Sequence, residues 1–305
     1  MAAILILGES GQLATALRAL SWPTGTKVSS LGRRDLGTGD TAAAAAAAAI
    51  RRTRPHLVLN AAAYTAVDRA EAEPALAHAL NAELPLAAAQ ACAELGIPLV
   101  HVSTDYVFDG EKATAYLETD PANPLSIYGA SKLAGDINIE SVAAADGWRR
   151  PTRLRWAILR SSWVFSGTGD SFPAKLLARA RAGETLRVVD DQTGCPTTAS
   201  ALAQAMQAVG RRLLDGDNAA AGLFNFCGAA AMSWHGFAGL VLDAAQRGGM
   251  TPPPLVPVAS ADYPAAARRP RRSVLDCGKI ARHCGLMPRP IDDELDRIVR
   301  AILAR

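Results

Sequence analysis

Ile4-Leu5-Ile6-Leu7-Gly8-Glu9-Ser10-Gly11-Gln12-Leu13-Ala14 opens the chain and decides how the rest of it is read. Four apolar residues in a row suit a strand buried on both faces, and residues 13–20 carry the spacing of an amphipathic helix. A glycine-rich turn between a strand and a helix is the setting in which a dinucleotide is held. Gly8 makes the tight turn, and Gly11 lets the backbone approach a pyrophosphate at the helix N-terminus. Ala14 stands where a small residue lets helix and strand pack. Ser10, Gln12 and Leu13 complete the candidate cofactor loop. Residues 27–31 read as a second strand, so the opening is a βαβ unit.

The alternation continues. Residues 56–60, 99–103 and 157–161 read as further strands, with helical stretches such as 75–95 and 131–144 between them. This order predicts an α/β fold, a Rossmann-like doubly wound parallel sheet. Eight alanines, Ala42 to Ala49, predict another helix, with Asp40 and Thr41 as cap candidates. So little side chain is available to bury there that the helix is expected on the surface. Past residue 165 glycine and proline punctuation breaks the alternation, at 167–173, 194–196 and 252–257. A dinucleotide-binding domain over 1–165 is therefore expected, with a smaller substrate-binding lobe over 166–305, some of whose segments return to the first domain.

Composition narrows the function classes. A chain of 305 residues, half of them hydrophobic, can fill a sizeable core. A net charge of +3 spread along the sequence offers no strong field for nucleic acid. The five cysteines are scattered and lack a CxxC pair, which argues against a disulfide framework. His283 and Cys284 lie near Cys277 without a suitable fourth ligand, so no metal is expected. No basic segment precedes the first apolar run, and no run approaches the roughly 20 apolar residues of a membrane span. The expectation is a cytoplasmic protein, monomer or homodimer, without membrane or nucleic-acid partners.

The strand ends hold the chemistry. Leu31-Gly32-Arg33-Arg34 lacks an acidic residue after the second strand. Arg33 there suits the 2′-phosphate of NADPH, and two solvated arginines are the plainer alternative. Ala62, Ala63, Tyr64 and Thr65 follow the third strand and are expected to line the cofactor; a helix start with Asp68 and Glu71 in its first turn is the other reading. The fourth strand runs through Val102 into Thr104 and Asp105. Tyr128 and Lys132 stand four apart, which on a helix places phenol and ammonium about one turn apart on one face. Only five of the 32 basic residues are Lys, so a Lys here is against the chain's habit. An ammonium beside a phenol with a reference pKa of roughly 10 stabilises the phenolate. With a nicotinamide, a hydroxyl to polarise a ketone, a Tyr to protonate the alkoxide and a Lys to support both Tyr and ribose make a reductase set. Val102, Tyr128 and Lys132 join the cofactor candidates, the cofactor being NADPH or NADH.

With these residues assembled, the chain resembles the extended short-chain dehydrogenases/reductases, and within them the dTDP-4-dehydrorhamnose reductase family. The runs that carry the likeness are GESGQLA (8–14), NAAAYTAVDRAEAEP (60–74), STDYVFDG (103–110), PLSIYGASKLAGD (124–136), RSSWVFSG (160–167), DQTGCPT (191–197) and RRPRRSVLD (268–276). The resemblance implies reduction of the C4 ketone of dTDP-4-dehydro-β-L-rhamnose to dTDP-L-rhamnose, a precursor of surface polysaccharide. It makes Tyr128 the proton donor, Lys132 its partner and Thr104 the polarising hydroxyl, with Thr104, Asp105 and Tyr128 touching the sugar. Trp163 falls where the family sets an aromatic against substrate, and a core Trp is the competing reading. Arg269 is a candidate for the nucleotide pyrophosphate, or else a solvated arginine. The chain departs from the family pattern at Gly37, where an acidic residue is usual, at Arg272, where Asn is frequent, and at Thr15, where some members carry a magnesium-binding Glu. Two rivals remain: a non-catalytic regulatory subunit of the kind that serves methionine adenosyltransferase, and an epimerase or dehydratase for another nucleotide sugar. Asp105-Tyr106 replaces the Asp-Glu pair of dehydratases, which favours reduction.

Overall fold

The N-terminal apolar run becomes β1 (Ala3–Leu7), which pairs in parallel with β2 (Lys27–Leu31) and β3 (Leu57–Asn60) in the computed structural model, where residues 2–39, 41–145 and 154–305 are described. β4 (Leu99–Thr104) pairs with β3, β5 (Trp156–Ser161) with β4, and the strand Gly222–Asn225 with β5, completing a six-stranded parallel sheet. The chain steps from β1 outward to β2 and then crosses back to β3. The switch of direction lies between β1 and β3, the place where open parallel sheets bind ligands. The loops that follow β1 and β3 both leave the sheet there. Gly8 has φ +112, and a Cβ on it would stand 3.2 Å from the backbone of Ala61 and Ala62. The two loops therefore touch backbone to backbone, a contact only glycine allows.

Both faces of the sheet are covered, which is why its strands read as continuous apolar runs. On one face Ile4, Ile6, Leu57 and Leu159 meet Leu13 and Leu17 of the helix Gln12–Ala19 and Leu202 and Met206 of the helix Ala199–Leu214. On the other, Leu5, Leu7, Val58 and Ile158 meet the helices Thr41–Thr53, Leu84–Leu95 and Ile127–Ala145. The alanine run is thus not a surface helix. Ala42, Ala46, Ala47 and Ala49 are buried, and the first three pack with Ile50 against Ala88, Ala91 and Cys92. Small side chains bury little area each but let two helices approach closely, which the expectation overlooked. Of its two cap candidates, Asp40 lies outside the described residues, and Thr41 is the first helical residue, its hydroxyl donating to the Thr38 carbonyl at 3.1 Å.

The helical stretch expected at 75–95 is broken into Pro74–His78, a π turn at Ala79–Glu83 and Leu84–Leu95. The wider turn places Asn81 inside the protein. A further core forms within the C-terminal half, where Phe165, Leu177, Phe237, Val241, Ile298 and Val299 pack together. The helix Ala199–Leu214 and the strand Gly222–Asn225 return from that half to the main sheet.

One ion pair is buried under the Ile127–Ala145 helix. Arg160 Nε of β5 donates to Asp136 Oδ2 at 3.0 Å, with the side chains 6% and 1% exposed, and the guanidinium lies 5.3 Å from the Phe108 ring. Burial pushes the Asp136 carboxyl up against the pull of Arg160 and Lys132. Arg160→Leu strands that carboxylate and is expected to cost about 3–5 kcal/mol in urea unfolding, most of it recovered when Asp136→Leu is added. A loss below about 1 kcal/mol would show that the two groups are not coupled.

Candidate active site

Thr104 ends β4 and Asp105 follows it, and the Ile127–Ala145 helix brings Tyr128 to the Thr104 hydroxyl and Lys132 to the Val102 carbonyl. The helix starts this close because Gly129 faces the Tyr106 carbonyl. A Cβ on Gly129 would stand 2.2 Å from that oxygen. Nearly two turns further on, a Cβ on Gly135 would stand 2.1 Å from the Asn81 carbonyl. Asn81 then ties the site together: Oδ1 accepts from Tyr64 N–H at 2.8 Å, and Nδ2 donates to Tyr64 O and Ser131 Oγ at 3.0 Å each. The loop after β3 and the Ile127–Ala145 helix are joined by one amide.

Tyr128 is packed against Tyr106, edge to face at 5.7 Å. Burial pushes its phenol up to about 12, the Thr104 hydroxyl pulls it down, and Asp105 and Asp136 push it up. A protonated phenol is therefore the resting form at neutral pH. Lys132 is 2% exposed, and burial brings it down to about 8 while Asp136 holds it up. Its Nζ donates to the Val102 carbonyl at 2.7 Å and faces His101 Nε2 at 3.2 Å, whose Nδ1 meets Asn60 Nδ2 at 3.0 Å. The Lys132 side chain thus lies along β4.

Thr104 Oγ1 accepts from the Tyr106 N–H at 3.2 Å and donates to Asp105 Oδ1 at 3.1 Å. Asp105 is 2% exposed, and its other oxygen takes the Ser273 hydroxyl. Burial raises its carboxyl to about 6, against hydrogen bonds from Ser273, Thr104 and Ser162. The run RRPRRSVLD is thereby docked on the end of β4.

The dinucleotide candidates gather at the switch point. Nothing lies within 4 Å of where a Cβ on Gly11 would stand, and the helix Gln12–Ala19 has no side-chain cap. A helix start left without a side-chain cap beside that space suits a pyrophosphate. Ser10 is exposed, and Ala62 and Ala63 are half-buried on the facing loop. Ser10, Glu9, Arg33 and Arg34 line a cleft of about 400 Å³. No ion pair among the described residues uses either arginine. Asp35 caps its own short helix through the Gly32 N–H at 2.9 Å.

Other candidates have their side chains engaged elsewhere. Leu13 points into the core, and Gln12 Oε1 accepts from Ser166 Oγ at 2.9 Å. Tyr64 turns its hydroxyl to Glu73, 2.6 Å away, while Thr65 is exposed. Arg269 grips Asp68 with two nitrogens, at 2.7 and 3.1 Å, so a pyrophosphate would compete with that carboxylate. Trp163 stacks on Trp234 at 3.6 Å and 8°, with φ +47. A Cβ on Gly194 would stand 2.4 Å from its ring, so Gly194 and Trp234 sandwich it. Residue reading missed Asn60, Asn81, His101 and Asp136. The signal for Asn60 and His101 was there, a polar residue inside an otherwise apolar strand.

Comparison with known proteins agrees with this geometry. The family described as RmlD substrate binding domain matches residues 1–303. A dTDP-4-dehydrorhamnose reductase of Sinorhizobium fredii is 38% identical over 303 residues, covering 98% of this chain and 97% of the relative. A solved dTDP-4-dehydrorhamnose reductase from Clostridium acetobutylicum superposes with TM-score 0.85 at 28% identity, covering 99% of both chains. Another, from Bacillus anthracis in complex with NADP, has TM-score 0.85 at 28% identity, with 98% of this chain and 99% of that one covered. A match that spans the cofactor loop, the Tyr and Lys helix and the C-terminal half together places this chain in the dTDP-4-dehydrorhamnose reductase family of extended short-chain dehydrogenases/reductases.

Proposed function

We propose that the protein reduces the C4 ketone of dTDP-4-dehydro-β-L-rhamnose to dTDP-L-rhamnose with NADPH or NADH, in the cytoplasm, as a step toward surface polysaccharide. The observation that carries this is the pairing of Tyr128 with Thr104 at the end of β4, with Lys132 at the neighbouring Val102 carbonyl, beside the glycine-rich loop, in a chain of this family. We assign the dinucleotide to residues 1–165 and most of the substrate contacts to the lobe from 166 onward.

When bound, the reduced nicotinamide supplies the hydride. Gly11, Ala62 and Ala63 leave room for the dinucleotide, and Arg33 stands by the outer end of the loop. The chain's own residues supply the proton and the polarisation. Tyr128, a neutral phenol, gives its proton to the oxygen at C4. Thr104 has one proton to give, so donating it to the ketone releases its contact with Asp105. Lys132 has to leave Val102 and His101 to reach the Tyr128 phenolate and the ribose. Intact Thr104, Tyr128 and Lys132 weigh against a purely regulatory protein.

The deciding assay follows nicotinamide oxidation with enzymatically made dTDP-4-dehydrorhamnose and identifies the sugar product. Formation of dTDP-L-rhamnose is expected; cofactor binding without turnover on this sugar would move the proposal to another nucleotide sugar or to a regulatory role. Tyr128→Phe is expected to lower kcat by about 10²–10⁴, and near-normal turnover would remove Tyr128 from the proton step. Arg33→Ala is expected to lower kcat/KM for NADPH about tenfold, roughly 1.4 kcal/mol, and to leave NADH nearly unchanged. Equal losses with both cofactors would show that Arg33 does not read the 2′-phosphate.

A further inference from the structure

Asn60, His101 and Lys132 form a chain of side chains beneath the site, exposed by 0%, 0% and 2%, whose hydrogen-bond directions follow from one end. The Ala62 backbone N–H can only donate, so the Asn60 atom facing it at 3.1 Å is Oδ1. The same amide must then present Nδ2 to His101 Nδ1, 3.0 Å away. Nδ2 only donates, so Nδ1 accepts and the imidazole proton sits on Nε2. That Nε2–H points at Lys132 Nζ at 3.2 Å, while Nζ donates to the Val102 carbonyl at 2.7 Å. An ammonium has three donors and no lone pair, so it cannot accept the Nε2–H. An uncharged amine can accept it and still donate to Val102.

We propose that Asn60 and His101 are positioning residues that hold Lys132 as an uncharged amine drawn back onto β4, and that uptake of a proton from solvent releases it toward Tyr128. In that step the Nζ lone pair forms the new N–H bond, the amine becomes an ammonium, and the His101 Nε2–H loses its acceptor. The chain can then be satisfied only if Lys132 swings away, since turning Asn60 over would set its NH₂ against the Ala62 N–H. Position and charge of Lys132 are coupled. The titratable and charged groups around Lys132 are His101 on β4, Asp136 on its own helix, Arg160 on β5, which is paired with Asp136, and Tyr128 one turn earlier. Burial brings Lys132 down to about 8 against the pull of Asp136, so the retracted amine is the form above that pH and the released ammonium the form below it, and burial keeps His101 from becoming an imidazolium. The meaning for catalysis rests on the pairing of Tyr128 and Lys132 proposed above, whereas the tautomer of His101 does not.

The test is nitrogen-15 NMR of the full-length, cofactor-free protein labelled at its five histidines, with the His101 signals identified by their loss in His101→Gln. Across neutral pH His101 is expected as the neutral Nε2–H tautomer; an Nδ1–H tautomer or an imidazolium would overturn the proposal. Asn60→Asp is nearly isosteric, and its carboxylate accepts from both Ala62 N–H and an Nδ1–H, which reverses the chain. In that variant His101 is expected to switch tautomer, and the titration midpoint of Lys132, followed through its carbon-13-labelled ε carbon, to rise by at least about one pH unit. A switched tautomer with an unmoved Lys132 midpoint would show that His101 does not govern the lysine. If Asn60→Asp does not fold, the wild-type tautomer still decides. Expected NMR results in a protein inactive on keto-sugar nucleotides would leave the chain standing and count against the proposed substrate.

Discussion

The register of β3 on β4 is the constraint on which the site depends. It sets Asn60 directly beside His101 on the face that the Ile127–Ala145 helix covers. A slip of β3 by one residue would turn Asn60 into the opposite core, among Leu59, Val100 and Met206, and leave His101 without it. Because both faces of the sheet are buried, each polar group on it must find its partner within the protein. Arg160 of β5 obeys the same rule and answers Asp136 on the same helix. The polar residues under the helix therefore form a connected layer that exists only while three strands keep their register.

Small residues let that layer close. Gly129 and Gly135 bring the Ile127–Ala145 helix against the Tyr106 and Asn81 carbonyls, at distances that exclude any side chain. The π turn at Ala79–Glu83 aims Asn81 inward, so a single buried amide joins the Tyr64 loop to Ser131. The alanine helix Thr41–Thr53 works in the same way one layer out, packing on the helix Leu84–Leu95 that follows the π turn. A larger side chain at these contacts would separate the helix from the sheet and move Tyr128 with it.

The C-terminal half reaches the site through polar docking. Ser273 meets Asp105, Arg269 meets Asp68, and Ser166 meets Gln12. Trp163 is held with positive φ between Trp234 and Gly194, a conformation that costs on the order of 1–3 kcal/mol and is kept only because its surroundings enforce it.

Local pattern alone determined a good deal of this protein. The apolar run before Gly8 marks β1, the strand and helix alternation marks a doubly wound sheet, and the spacing from Tyr128 to Lys132 marks one face of a helix. These features are legible because strand and helix periods depend on neighbours within a few residues. The burial of the alanine helix, the π turn at Asn81 and the pairing of Arg269 with Asp68 were not, since each needs a partner that is distant along the chain. Lys132 shows the division most plainly: its place on the helix follows from sequence, but its resting partner is His101, 31 residues earlier. Only the tertiary structure decides that, because strand register and helix packing bring His101 to Lys132, and burial away from water then obliges each of them to satisfy the other.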